Sequence, residues 1–372
     1  MSRIVISCFD HPAHPCYGGG GALVVAEIAK RLSQRHDVTV VSASFRRGRP
    51  IGRTPYRQVM LPIGWAGPRG SQVLYHLVLP LAARRIPHDL WVENFTPPFS
   101  TSFVPKFTPR TVIGLVQMLS GEDMTKRYKL PFGAVQERGL QYYRHFIVLN
   151  EIDAAKIKSV QPLAQCDLVP NGVDPPDVVR PYGSGDYILF LGRIDIGQKG
   201  LDLLLEAFDF AQPTLPLVIA GAGLPSEERE LTRLVRRTKG PVARVGYMSG
   251  EGKRELLHNA AFVVMPSRYE TFGLSALEGM AFGKPVVHFD LARLSWIGHD
   301  AALSAPAYDV EALGRAMREL CEDAELRAKL GHAGRLFAQT VSWDVVGQRY
   351  LGIIDKALGG AGRPSQPGAI VD

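Results

Sequence analysis

The chain has 372 residues, 46% of them hydrophobic and 21% charged, too long for one ordinary domain and enough for two cores. No apolar run nears the roughly 20 residues that span a bilayer, and the opening MSRIVISCFD reads as a first strand rather than an export signal. The net charge of +7 is uneven: residues 1–170 hold 21 Lys and Arg against 11 Asp and Glu, the remainder 22 against 25, and no interleaved aromatics or binding motif point to nucleic acid.

In chain order, the first half carries short apolar runs at RIVISCF (Arg3–Phe9), DVTVVSA (Asp37–Ala43), DLWVENF (Asp89–Phe95), TVIGLVQ (Thr111–Gln117) and HFIVLN (His145–Asn150). The second half continues with YILFLGR (Tyr187–Arg193), PLVIAG (Pro216–Gly221), AFVVMPS (Ala261–Ser267) and PVVHFD (Pro285–Asp290). Runs that are apolar throughout are strands buried on both faces of a parallel sheet. Amphipathic stretches such as ALVVAEIAKRLSQR and GLDLLLEAFDFA lie between them with helical spacing. This alternation predicts α/β architecture: two Rossmann-like, doubly wound domains facing across a cleft.

The Pro- and Gly-rich stretch Val169–Asp186 reads as the linker. The expected division is an N-terminal domain over 1–170, a second over 171–342, a late amphipathic helix over 343–358 and a disordered tail over 359–372. Cys8, Cys16, Cys166 and Cys321 form no C-x-x-C pair, which argues against a disulfide framework or a zinc site and fits a reducing cytoplasm. Cys16, beside a glycine run, is a candidate reactive thiol, with a plain small residue the commoner reading. The basic stretch FRRGRPIGRTPYR (Phe45–Arg57) is either a solvated loop or a surface for an anionic partner.

Three segments carry anion-binding chemistry just after strands, where ligands of parallel sheets collect. Gly18 to Gly21 precede a helix starting near Ala22, so bare backbone and free N–H groups face a ligand; no G-x-G-x-x-G is present. Arg193 closes a strand and Lys199 is expected to open the next helix, two cations able to grip a diphosphate. Arg268-Tyr269-Glu270 leads into a helix starting at Phe272 to Leu274, with Glu278 on that helix. Carboxylates beside a phosphate make sense if they accept hydrogen bonds from sugar or ribose hydroxyls; otherwise Glu270 caps the helix and Glu278 is solvated.

These motifs together resemble the retaining glycosyltransferases of family four, with the two-domain B-type fold. The resemblance rests on GGGGALVVAEIAKRL, the VPNGVD turn (Val169–Asp174), GRIDIGQKG (Gly192–Gly200), PSRYETFGLSALEGMAFGKPVV (Pro266–Val287) and the late Ser342-Trp343, and covers most of the chain. It implies that the second domain binds a nucleoside-diphosphate sugar. Glu278 would hold the ribose hydroxyls, Glu270 would contact the donor sugar near its reacting centre, and Arg193 and Lys199 would hold the phosphates. Phe272, Gly273 and Leu274 would present backbone N–H groups, and Gly20 and Gly21 would let the first domain close over the diphosphate. The segment ARVGYM (Ala243–Met248), including Gly246, would pack against the base. Relatives often carry a histidine where this chain has Gln117, which hydrogen-bonds but cannot become charged; Asp123 is the candidate helper.

The implied activity is metal-independent, retaining transfer of a sugar to an acceptor hydroxyl. No D-x-D metal motif is present and no cofactor is expected beyond the donor itself. The acceptor is a glycan, a lipid-linked molecule or a small molecule. The basic first half fits peripheral contact with an anionic membrane, at its inner face. A sugar-nucleotide epimerase of the same fold and a non-catalytic nucleotide-sugar-binding protein are the alternatives.

Overall fold

The computed structural model describes residues 1–13, 19–45 and 52–360. They divide into two compact units, one within residues 1–170 together with 346–360, the other residues 171–345. The suggested thiol Cys16, Gly18, residues 46–51 of the basic stretch and the tail from 361 lie outside the described residues.

The first unit holds a parallel sheet of β1 (Arg3–Ser7), β2 (Asp37–Ala43), β3 (Arg57–Leu61), β4 (Leu90–Asn94), β5 (Thr111–Val116), β6 (His145–Val148) and β7 (Gln165–Leu168). Its spatial order is β3-β2-β1-β4-β5-β6-β7. Helices α1 (Gly20–Leu32), α2 (Gly67–Arg85), α3 (Gly121–Tyr128), α4 (Phe132–Leu140) and α5 (Glu151–Val160) connect the strands. The second unit holds β8 (Tyr187–Leu191), β9 (Leu217–Ala220), β10 (Val242–Gly246), β11 (Ala260–Met265), β12 (Val286–Phe289) and β13 (Ala302–Ala305), also parallel, in the order β10-β9-β8-β11-β12-β13. Its helices are α6 (Ile196–Lys199), α7 (Leu201–Ala211), α8 (Pro225–Val235), α9 (Gly250–Asn259), α10 (Leu274–Ala281), α11 (Val310–Glu322) and α12 (Ala324–Thr340). A last helix, α13 (Trp343–Gly360), runs two residues past the expected Leu358 end. Its Val346, Tyr350 and Ile354, four apart, are buried in the first unit.

Four strands escaped the sequence reading: β3, β7, β10 and β13, which are the edges of the two sheets. The reason is physical. Central β4 and β11 are buried at every position, so β11 (AAFVVM) reads as an unbroken apolar run and β4 (LWVEN) opens on one. An edge strand has one ladder partner and more solvent; β7 (QCDL) and β10 (VARVG) are mostly exposed and carry charge, so they show no such run.

Each core sits between sheet and helices. Trp91, Tyr75, Phe95, Tyr143 and Phe146 fill the first. In the second, α7 buries Leu201, Leu204, Leu205 and Phe208 at i, i+3, i+4 and i+7 against a sheet that includes Phe190 and Phe262. In both sheets the winding direction reverses once, between β1 and β4 and between β8 and β11. Loops leaving the carboxyl ends of those strand pairs splay apart, and a ligand fits where they do.

Candidate functional site

In the second unit the reversal brings together the loop after β8 and the loop after β11. Arg193 stands two residues beyond β8, and Asp195 caps α6, its side chain accepting from the Gln198 N–H at 2.9 Å. Arg193 donates to Asp195 Oδ2 at 3.1 Å and Gln198 Oε1 at 2.6 Å, yet 55% of its side chain remains exposed. Lys199 ends α6 instead of opening the following helix, because Gly200 intervenes with φ +64°. A side chain there would place its Cβ 2.0 Å from the Pro266 carbonyl oxygen, so glycine is required where the two loops cross.

Lys199 Nζ donates to Glu270 Oε1 at 2.5 Å, and Ser267 Oγ donates to the same oxygen at 2.8 Å. Glu270 is buried, so the loop after β11 carries a fixed carboxylate with its lysine beside it. Glu278 lies on α10 and pairs with another cation, Lys253 of α9, at 2.5 Å. The two acids that stand out in the sequence therefore take different lysines, 71 and 25 residues away.

Between them lies the start of α10. Gly273 holds its N-cap position with φ +83°, and no side chain caps the first turn; the intrahelical bonds begin with Ala276 N and Leu277 N donating to the Gly273 carbonyl oxygen at 3.0 and 3.4 Å, which leaves the Leu274 and Ser275 amides ahead of them. The Phe272 ring is buried and stacks on Trp296, ring centroids 4.7 Å apart, while Trp296 Nε1 donates to the Phe272 carbonyl oxygen at 2.8 Å. The Phe272 ring and carbonyl thus both anchor the loop that leads into α10.

Two anchoring residues were not read from the sequence. One is Trp296. The other is Arg268, which donates to both Asp202 oxygens at 2.8 and 2.7 Å and to the carbonyl oxygens of Ile196 and Gly197 at 3.3 and 3.2 Å. Burial raises the Asp202 carboxyl, but the Arg268 hydrogen bond and charge outweigh it and hold Asp202 below its usual value. Arg268 ties the Arg193–Lys199 loop to the Glu270 loop. The bidentate Arg268–Asp202 pair spans 66 residues of sequence, which no local pattern reveals.

Gly246 ends β10 with φ +73°, and nothing lies within 4 Å of where its Cβ would stand. A cavity of about 180 Å³ lined by Phe208, Asp209, Gln212, Pro213, Lys239 and Gly240 lies at the opposite, amino edge of the sheet, where α7 ends.

In the first unit the reversal lies between β1 and β4. Gly20 opens α1, and the Gly21 Cβ position is 3.9 Å from both Asn94 Nδ2 and Asp10 Oδ2, so packing alone would accept a side chain. Asn94 is buried and donates to Cys8 Sγ at 3.3 Å; its Oδ1 has no partner among the described residues. Gln117 follows β5 half-buried, and Asp123 is exposed in the first turn of α3. Burial pushes the Cys8 thiol well up, so this cysteine is a packing residue.

The loop after β4 is fixed from below. Glu93 accepts from Ser102 N at 2.6 Å and from the Tyr143 hydroxyl, while His76 of α2 hydrogen-bonds Ser102 Oγ at 2.8 Å and the Thr96 carbonyl oxygen at 3.1 Å. Burial pushes the Glu93 carboxyl up to about 7, although Tyr143 and Ser102 oppose that rise, and burial draws His76 down to about 4. Among the described residues no group of three His, Cys, Asp or Glu is placed to hold a metal ion.

Residues 185–323 match the family described as "Glycosyl transferases group 1". Mannosylfructose-phosphate synthase of Agrobacterium fabrum is 32% identical over 186 residues, covering 46% of this chain and 40% of that protein. The chain thus spans under half the length of the curated relatives it matches. Among solved structures, sucrose-phosphate synthase from Thermosynechococcus elongatus superposes with a TM-score of 0.81 at 21% identity, covering 97% of this chain and 100% of that one. Anabaena HepE, solved with UDP and glucose, gives a TM-score of 0.75 at 16% identity over 96% of this chain and 100% of its own. The fold is the two-domain B-type fold of glycosyltransferases, as the sequence resemblance implies.

Proposed function

We propose that this chain, whose residues 185–323 carry the group 1 glycosyl transferase domain on a B-type scaffold, transfers a sugar from a nucleoside diphosphate to an acceptor hydroxyl with retention of configuration and without a metal ion. The observation that carries the reading is the Lys199–Glu270 pair at the β8/β11 reversal, beside exposed Arg193 and the uncapped start of α10.

In this reading the diphosphate takes Arg193, Lys199 and the α10 amides of Gly273 and Leu274. Positive charge and oriented N–H groups stabilise it as it leaves, which lowers the barrier to breaking its bond to the anomeric carbon. Released from Lys199 by the incoming phosphate, Glu270 accepts hydrogen bonds from the donor sugar and supports the positive charge growing there. Glu278 accepts from the ribose hydroxyls, as its place on α10 beside Lys253 permits. Gly246, with open space at its Cβ position, leaves room for the flat base. The N-terminus of α1 at Gly20 and Gly21 is a second end suited to negative charge, and Gln117 is a neutral hydrogen-bonding side chain for a sugar.

The bonds balance without a further base. The acceptor oxygen bonds the anomeric carbon, the carbon–phosphate-oxygen bond breaks, and the acceptor proton passes to the departing diphosphate. The acceptor is a glycan, a lipid-linked molecule or a small hydroxyl compound, and the basic excess of residues 1–170 fits one presented at an anionic membrane.

The test incubates the full chain, with EDTA present, against UDP-, GDP- and ADP-sugars and panels of the three acceptor classes, and follows product anomers by NMR. The expected result is acceptor-dependent release of one nucleoside diphosphate and a product of unchanged anomeric configuration. Donor consumed into an isomer without acceptor, or no consumption of any donor, overturns the reading.

A further inference from the structure

Helix α2 is apolar on two opposite sides. Its inner side, with Tyr75, Leu79, Ala82 and Ala83, fills the core of the first unit. Its outer side ought then to be polar. Instead Val73, Leu77 and Leu81, four apart, form one row and are 40%, 63% and 44% exposed. Trp65, in the short turn of helix just before, is 69% exposed. Three large aliphatic side chains over about 12 Å of helix, with a tryptophan at one end, leave apolar surface that water does not reward.

Charge brackets this row. Arg69 precedes it, Arg84 and Arg85 follow, and the 19 residues of α2 contain no Asp or Glu. The Arg84 guanidinium lies 4.8 Å from the Phe107 ring, which holds it at that end. The neighbouring Lys106 adds another cation, its Nζ 4.9 Å from the Tyr142 ring.

From this arrangement we infer that the outer face of α2 docks on an anionic lipid bilayer. Val73, Leu77, Leu81 and Trp65 sink to the level where headgroups meet acyl chains, and Arg69, Arg84 and Arg85 reach the lipid phosphates. No helix among the described residues is long and apolar enough to cross a membrane, so α2 lies in the plane of the surface. A second copy is the poorer occupant. A twofold pairing of two α2 faces sets arginines of one copy against those of the other, with no acid on either helix to offset them. The inference rests on the reading that the basic first half meets an anionic membrane, and adds the surface that does so; it is independent of sugar transfer.

The test floats the full chain with vesicles of phosphatidylcholine containing about 30% phosphatidylglycerol, and with pure phosphatidylcholine, at about 0.1 M and about 0.5 M salt. Wild type is expected to float with the anionic vesicles, less so at the higher salt. The exposed pair Leu77→Glu/Leu81→Glu should lower the partition coefficient by about tenfold or more, because two apolar insertions are lost and two repelled charges gained. Arg69→Gln/Arg85→Gln should lower it several-fold on anionic vesicles alone. All variants should melt within a few degrees of wild type, since no changed side chain is buried. Anionic vesicles that capture both leucine and arginine variants like wild type overturn this surface while leaving the membrane reading standing. Failure of wild type to float overturns both. A wild-type dimer that Leu77→Glu splits assigns the face to a second copy and overturns the inference.

Discussion

Replacing Glu270 separates a catalytic carboxylate from a structural one. It is 7% exposed and accepts from Lys199 at 2.5 Å and Ser267 at 2.8 Å. Glu270→Gln keeps the length and leaves an amide oxygen for one donor, so it loses the ion pair but little packing. Lys199 is itself 19% exposed and can turn its ammonium to water, which limits the stability cost to about 1–2 kcal/mol. A domain stable by about 5 kcal/mol or more stays almost wholly folded after such a loss, so a purely structural Glu270 would leave turnover within about twofold. A carboxylate facing growing positive charge on the sugar is worth more, on the order of a hundredfold to a thousandfold in kcat. The assay is donor turnover under saturating acceptor, alongside a melting curve on the same preparation. Turnover within about twofold of wild type, with the melt only slightly lowered, would refute the role given to Glu270.

Glu278→Ala should weaken nucleoside-diphosphate binding about tenfold or more by calorimetry, since hydrogen bonds to a charged group contribute about 1.5–3 kcal/mol. A 2′,3′-dideoxy nucleotide should show no further loss in that variant; an additional loss equal to that of wild type places the ribose elsewhere. Arg268→Ala removes a half-buried, bidentate clamp of Asp202 and should lower stability by about 1–2 kcal/mol, while weakening nucleotide affinity several-fold by freeing the Arg193 loop. Unchanged affinity would mean the loop holds without it. Glu93, whose carboxyl is raised from 4.5 to about 7 in the fold, binds a proton more readily folded than unfolded. Stability should therefore fall as pH rises from about 4.5 to about 7, by about 3 kcal/mol from this group, and urea unfolding of Glu93→Gln should lack that fall. A variant with the same pH dependence as wild type excludes Glu93 as its source.

What the sequence revealed follows the physics of burial. Central strands such as LWVEN and AAFVVM announce themselves because both faces are covered, whereas RQVML, QCDL, VARVG and ALSA, at the edges, mix polar and apolar residues as loops do. The positions of the candidate residues are legible: Arg193, Lys199 and Glu270 lie in the segments that follow strands and Glu278 sits on a helix. Their pairings are not. Nothing local shows that Glu278 meets Lys253, that Arg268 grips Asp202 or that Trp296 stacks on Phe272, since each contact is made by the sheet bringing distant loops together. That Lys199 ends α6 rather than opening α7 is hidden for a similar reason: the four-residue α6 is too short to show a period, and only the backbone of Gly200 separates it from α7.

The most direct measurement is calorimetric titration of UDP, GDP and ADP into the full chain and into Arg193→Ala/Lys199→Ala. The reading predicts that one of the three binds wild type at one site per chain, and that the double variant loses about tenfold or more in affinity while remaining folded. No binding by any of them, or binding that the double variant retains in full, would contradict it.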